Sequence, residues 1–305
     1  MSRLEYDPNR QSASHCPCGK RNDDGKFSPF MGYKDKGHCF SCSKTFFPDS
    51  HKIEPSHKRA KTATAVVPPS FISANILKRS LGLYDENTLL KFIEKLTDQE
   101  TAIRIRNDYL IGTSTFWSGS TVFWQVDING KVRGGKIIQY TMRLDERCCI
   151  GQNCGRVKTN KPVVKWVHKW MKTTDYRLKQ CFFGEHLLAM FPKRKVGVLE
   201  SEKSALIASA YHPDIIWLAS GGASGLSDEK IKVLEGRNVT FFPDLKQLQA
   251  WEEKVSKIKK KLKTAVITTS SFLEHKATDE DRAQGLDLAD FLIRQEWSKY
   301  GMEKS

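Results

Sequence analysis

The chain has 305 residues, with 50 Lys and Arg against 35 Asp and Glu, a formal charge of +15 at pH 7. That length accommodates two or three modules and a substantial core, and the positive excess points to a polyanionic partner, nucleic acid first, because basic contacts to phosphate release counterions. An anionic membrane is disfavoured, since no apolar run reaches spanning length and no basic amphipathic anchor stands out. The first residues, MSRLEYDPNR, carry no signal-peptide apolar core. Eight cysteines without an export signal give the expectation of a reducing cytoplasm, and of metal before disulfides.

Residues 1–47 read as a zinc ribbon. Cys16-Pro17-Cys18 and Cys39-Phe40-Ser41-Cys42 form two knuckles separated by twenty residues, and four thiolates so spaced suit tetrahedral Zn²⁺. The intervening sequence is too poor in apolar residues to fold without such a staple. Alternatives are unliganded cysteines in a disordered arm, or His15 or His38 in place of one thiolate. Lys20, Arg21, Lys26, Lys34 and Lys36 are interleaved with Phe27, Phe30, Tyr33 and Phe40. Cations for phosphates and rings for bases suit a single-strand binder, though some of these rings must pack the ribbon itself.

Residues 48–70 read as a basic flexible linker containing Lys58, Arg59 and Lys61. Residues 71–193 read as a basic α+β domain. Helical periods span 73–80, 86–96 and 98–106, the last behind Thr97 as a possible cap. Strands over 121–127 and 131–140 are joined through Asn129-Gly130, a hairpin signal. Alternation puts Arg133 and Arg143 on one face of the second strand and Lys136 on the other. Lys165, Trp166, Lys169, Trp170 and Lys172 form a mixed basic and aromatic stretch, which serves either to clamp a strand or as a core-facing Trp pair with snorkelling lysines. Cys148, Cys149 and Cys154, with Cys181 or His168 as a fourth ligand, form a possible second metal site; their spacing is not a familiar knuckle, and loop cysteines are the default.

Residues 194–298 read as an α/β domain with a mainly parallel sheet, followed by a tail over 299–305. An apolar strand over 196–199 delivers Glu200 to its carboxyl end, and a helix follows from 201 or 202 to 210. A second run, 215–219, leads into the glycine-rich Ser220–Gly225 turn. A third, 238–242, ends in Pro243-Asp244. A helix over 247–262, a fourth run over 265–268 and a last helix over 288–298 complete the alternation expected of βαβ units. Ligands bind such sheets beyond the carboxyl ends of the strands, where Glu200 and Asp244 stand. Glu202-Lys203-Ser204 does not end a P-loop, because no Gly-x-x-x-x-Gly frame precedes it.

A Glu after strand one, a glycine-rich turn after strand two, an Asp after strand three and the late Asp287-x-x-Asp290 resemble a Toprim domain, the catalytic module of bacterial-type primases and topoisomerases. With the ribbon in front, the chain resembles the toprim-containing, primase-like proteins of Bacteroidetes genomes and mobile elements. That resemblance implies DNA replication, with possible Mg²⁺-dependent primer synthesis on single-stranded DNA, nucleotides as substrates and a replicative helicase as a possible further partner. Glu200 and Asp244 would be the catalytic residues and Mg²⁺ ligands, joined by Asp287 and Asp290, with Lys203 neutralising phosphate. Contacts to nucleic acid would come from Lys20, Arg21, Lys34, Arg133, Lys136, Lys165, Trp166, Lys169 and Lys203. Three positions depart from the Toprim pattern. Lys246 replaces the second Asp of Asp-x-Asp, Ser201 follows Glu200 in place of Gly, and Ser204 stands where an Asp often follows. A lysine in place of a ligand removes a donor and adds a competing charge, so a non-catalytic single-strand-binding protein stands beside the primase reading, as does a Toprim nuclease. Asp287 also sits where an N-cap precedes the last helix.

Overall fold

A computed structural model describes residues 4–42, 44–48, 68–140, 164–222 and 225–300. The basic cluster Lys58, Arg59 and Lys61, Arg143, the trio Cys148, Cys149 and Cys154, and most of the tail lie outside those residues. The chain forms two compact units, Met1–Val67 and Pro68–Ser305. No helix among the described residues is long and apolar enough to cross a membrane.

The first unit is built on an antiparallel sheet of three short strands, β1 (Phe27–Pro29), β2 (Gly37–Cys39) and β3 (Lys44–Phe46), in the order β1-β2-β3. Its buried apolar cluster is Ala13, Cys16, Phe27 and Cys39. Two of those four residues are cysteines, so the centre of the unit consists largely of its own thiols. Asn22 substitutes for missing secondary structure: its buried amide donates to the carbonyls of Arg10, Ala13 and Phe27, and its Oδ1 accepts from the Phe27 N–H.

The second unit opens with α1 (Ala74–Ser80), α2 (Thr88–Leu96) and α3 (Gln99–Asp108). Buried Asn87 caps α2, accepting from Leu90 N–H, and the same side chain bonds to Thr113 and Thr121. Asp98, rather than Thr97, caps α3: Asp98 Oδ1 accepts from Thr101 N–H at 2.7 Å. The Thr97 hydroxyl instead donates back to the Ile93 carbonyl, where it terminates α2.

An antiparallel sheet follows, in the order β4 (Gly112–Ser114), β5 (Ser120–Val126), β6 (Val132–Ile138) and β7 (Val164–Trp166). The β5–β6 hairpin turns through Asn129-Gly130, with Gly130 at φ +76°, a conformation that favours glycine. Its two faces serve different cores. Phe123 and Ile138 join the main core with Tyr109, Phe183 and Trp217, whereas Val122, Trp124 and Ile137 form a smaller one with Ile72, Leu77 and Val167. Gly135 opposes Trp124, and a Cβ there would lie 2.8 Å from the indole, so glycine lets the ring cross the strand.

Short helices α4 (Val167–Trp170) and α5 (Leu187–Met190) lead into the parallel layer. Its elements are β8 (Val196–Leu199), α6 (Glu202–Tyr211), β9 (Ile216–Ala219), α7 (Asp228–Ile231), β10 (Asn238–Phe241), α8 (Leu248–Lys261) and β11 (Val266–Thr269). Every residue of β8 and β9 is buried, as continuous apolar runs covered on both faces require. All pairings are parallel, in the order β11-β10-β8-β9. After β9 the chain crosses to the other side of β8 to lay down β10, so the strand order reverses between β8 and β10. Three further helices close the unit, α9 (Phe272–Lys276), α10 (Asp279–Gln284) and α11 (Leu288–Leu292). The helix expected to reach residue 298 ends at Leu292, because the following residues turn back onto the body. Arg294 pairs with Asp281 at 2.6 Å and Trp297 Nε1 donates to the Ala210 carbonyl.

Candidate functional site

Two groups of side chains carry chemistry, one in each unit. In the first, Cys16, Cys18, Cys39 and Cys42 bring their sulfurs within 4.8 Å of one another. Tetrahedral zinc at about 2.3 Å from each sulfur needs sulfurs less than about 4 Å apart, so small adjustments seat an ion. Cys18 N–H already donates to Cys16 Sγ at 3.3 Å, a bond that favours thiolate. Burial raises the Cys16 thiol to about 12. Neither histidine joins the group: His38 Nδ1 bonds the Thr45 hydroxyl at 2.8 Å, and His15 is exposed beside Ser14. Lys20, Arg21 and Lys34 are exposed, Arg21 pairing with Asp23 at 3.0 Å. Phe27 and Phe30 are buried in the unit, whereas Tyr33 and Phe40 are exposed, as are Tyr6 and Phe47.

The second group lies at the reversal point of the parallel sheet, where open α/β sheets form their ligand crevice. Glu200 follows β8 and Asp244 follows β10, the two adjacent strands that flank the reversal. Phe242 N–H donates to the Val198 carbonyl, fixing the two strand ends in step. Leu245 N–H donates to the Leu286 carbonyl at 3.1 Å, which brings the start of α11 to the same place. Burial pushes the Asp244 carboxyl up to about 8, helped by the charges of Asp287 and Glu200, a hydrogen bond with Glu200, and Asp290. Asp290 is also raised, by burial and by Asp287. Four carboxylates therefore repel one another here. Lys203 stands beside them, 3.8 Å from Asp290.

Not all four are equally available. Asp287 caps α11, its Oδ1 accepting from Asp290 N–H at 2.9 Å, while Asp290 Oδ2 accepts from Asp287 N–H in a reciprocal box. The second oxygen of Asp287 accepts from the Ser204 hydroxyl at 2.5 Å. Among the described residues the cysteine quartet is the one group of three or more such side chains gathered closely enough to hold a metal ion, so the carboxylates do not form a ready cage. Lys246 does not enter the crevice pairing. It is exposed, sits at φ +68°, and its N–H donates to Glu274 Oε1.

The remaining basic residues have other occupations. Lys136 donates to Glu202 Oε1 at 2.6 Å with its side chain 12% exposed, and Arg133 pairs with Asp127 at 2.6 Å and lies over the Phe71 ring. Trp166 is half-buried with Lys136 above its ring. Lys165 lies near Phe116, while Lys169 is exposed. Among the buried charges that the sequence does not mark are Glu202 and Lys230. Glu202 sits in the first turn of α6, and Lys230 donates to the Ser220 carbonyl at 2.7 Å; burial lowers its ammonium to about 8. Neither carries a sequence signal, because a charge on an amphipathic period reads as solvated.

None of the curated proteins matches the chain. Among solved structures it is similar to the primase fragment of the bacteriophage T7 primase-helicase protein, at 14% identity and a TM-score of 0.36, over 88% of this chain and 96% of that one. It is also similar to the RNA polymerase domain of Mycobacterium tuberculosis primase DnaG, at 12% identity and a TM-score of 0.35, over 75% and 72%. At such scores these likenesses say nothing about the chemistry of this chain. A family model matches residues 87–245, just over half of the chain, from the cap of α2 to the residue after Asp244. The chain belongs to that family, described as a domain of unknown function (DUF6371).

Proposed function

We propose that the chain binds single-stranded nucleic acid and that its parallel layer is a Toprim-like site, in which Glu200 and Asp244 hold Mg²⁺ against nucleotide phosphates for primase-type nucleotidyl transfer. The observation that carries this reading is the position of Glu200 and Asp244 at the carboxyl ends of β8 and β10, the adjacent strands that flank the reversal point, where the charge of Glu200 adds to burial in raising the Asp244 carboxyl. Oxygen donors suit this hard cation, which is usually held by one or two carboxylates with substrate phosphates and water completing its shell. Two carboxylates therefore suffice without a closed cage. When bound, the ion would neutralise charge on the transferring phosphoryl group. Asp290 is the next available donor, and Lys203 is placed to pair with a phosphate oxygen. Asp287 contributes mainly by holding α11 and, through Ser204, α6. In the first unit the four cysteines hold Zn²⁺, with Lys20, Arg21 and Lys34 facing the strand. Lys165 and Lys169 serve the same purpose in the second unit. Thiolates of this kind persist in a reducing compartment such as the cytoplasm.

A non-catalytic grip is the second reading, and the engagement of both Asp287 oxygens favours it. The experiment that separates them incubates the full chain with single-stranded DNA, labelled nucleotides and Mg²⁺ or Mn²⁺, beside Glu200→Ala and Asp244→Ala. Labelled oligonucleotides from the wild type alone support transfer. Binding without synthesis in all three proteins overturns it and leaves the grip. Strand cleavage by the wild type alone replaces transfer with a nuclease.

A further inference from the structure

We propose that a cavity on the outer face of the antiparallel sheet takes one nucleotide of a single strand, with its base against Trp170 and its phosphate toward Arg79. This site is separate from the carboxylates. It rests on the reading that the chain binds nucleic acid and not on any transfer chemistry.

Among the described residues the helices over the smaller core on this face are the seven residues of α1 and the four of α4. Two such short helices cannot close over a four-stranded sheet, and a cavity of 390 Å³ remains between them. That volume lies within the usual range of small-molecule sites, about 300–1,000 Å³. Trp124, Ile137 and Val167 make an apolar floor, and Trp170 and Met171 stand at the mouth, 45% and 36% exposed. Trp170 and Met171 thus present apolar surface beside a preformed cavity.

The polar part of the lining selects among occupants. Ser114 lies on the sheet face of Val122 and Trp124 and lines one wall, whereas the Thr113 hydroxyl turns to Asn87 on the opposite face. Ser114 Oγ accepts from Phe116 N–H, so its own proton is available to an acceptor. An apolar peptide side chain would leave that hydroxyl unanswered, whereas a base edge offers it an acceptor. Among the described residues no carboxylate lines the cavity, and Arg79 does. Arg79 and the neighbouring Lys78, Lys169 and Lys172 have no carboxylate partner among the described residues. An apolar floor, an exposed ring, one free hydroxyl proton and the Arg79 guanidinium together fit a stacked base with an attached phosphate. The stacking ring is therefore Trp170 rather than Trp166, whose ring is half-buried beneath Lys136.

The test uses the full chain and an oligothymidylate, followed by fluorescence anisotropy, with a second oligonucleotide carrying 5-iodo-deoxyuridine for photocrosslinking and peptide mapping. Trp170→Ala should weaken binding about 5- to 100-fold with an unchanged melting temperature, and Trp170→Phe should recover most of it. Arg79→Ala should lower the slope of log affinity against log salt by about 0.7. The crosslink should map to Trp170. Wild-type affinity in Trp170→Ala, with crosslinks mapping elsewhere, overturns the cavity and leaves nucleic-acid binding standing. Failure of the wild type to bind overturns both. Protection of Trp170 by an acidic, phenylalanine-containing peptide but not by oligothymidylate overturns the proposal in favour of a peptide groove.

Discussion

Lys136 on β6 and Glu202 in the first turn of α6 form an ion pair of 2.6 Å, with side chains 12% and 6% exposed, and it joins the antiparallel sheet to the helix that follows Glu200. Breaking one side of a buried pair leaves the other charge without compensation. Lys136→Met is therefore expected to cost about 3–5 kcal/mol in chemical denaturation, and Lys136→Met with Glu202→Leu to recover most of that. A single substitution without effect would mean that water reaches the pair. The same pair governs how Lys136 takes part in binding: it can reach a phosphate only by leaving Glu202.

Lys230 gives a pH dependence of definite sign. Burial holds its ammonium down to about 8 from an ordinary value near 10.5. Between those values the unfolded chain binds more protons than the folded one, so this residue makes stability rise with pH across that window. Its contribution is present above the unfolded value and is lost as pH falls through about 8. The difference in unfolding free energy between wild type and Lys230→Met should therefore grow in favour of the wild type from pH 8 to pH 10. A difference flat in pH would show that Lys230 titrates normally.

Much of this architecture is legible in the sequence because a buried parallel strand has to be apolar on both faces. The runs at β8 and β9 are visible for that reason; β10 is buried at Val239 and Phe241 only, yet its short run also ends near an acid, and Glu200 and Asp244 fall at the ends of adjacent strands. Elements of three to six residues, such as β4, β7, α4 and α10, are too short to establish a period. The partners of charges are harder still. Lys136 and Glu202 are 66 positions apart, and nothing local distinguishes Lys136 from a solvated lysine. Similarly, spacing alone does not decide whether Trp166 or Trp170 faces outward, because a strand of three residues passes directly into a single turn of helix between them.

The cysteine quartet is expected to control folding of the first unit alone. Cys16 and Cys39 supply half of its buried apolar cluster. Structural zinc in comparably small modules contributes about 10–16 kcal/mol, far more than such a cluster can. Metal chelation, or Cys39→Ser with Cys42→Ser, should expose residues 1–67 of the full chain to limited proteolysis while residues 68–305 resist. Release of one zinc per chain, measured with a chromogenic chelator, should accompany that loss. Equal resistance of both units after chelation would rule out a structural metal.

Ser204 links the last helix to α6 through an acid that the proposed metal site would otherwise draw on. Its hydroxyl donates to Asp287 Oδ2 and also bonds the Ser201 hydroxyl at 2.8 Å. A hydrogen bond to a charged group contributes about 1.5–3 kcal/mol, so Ser204→Ala should lower metal-free stability by about that amount. It should also leave one Asp287 oxygen without its donor beside Asp244 and Asp290, and the rise in melting temperature on adding Mg²⁺ should then exceed that of the wild type. Asp287→Asn separates the two roles. Asparagine can still cap α11, so fold stability should change little, whereas any gain in the Mg²⁺ response that depends on the freed carboxylate should vanish from the Ser204→Ala, Asp287→Asn pair. A Mg²⁺ response identical in all these proteins would confine Asp287 to capping and leave Glu200, Asp244 and Asp290 as the donors.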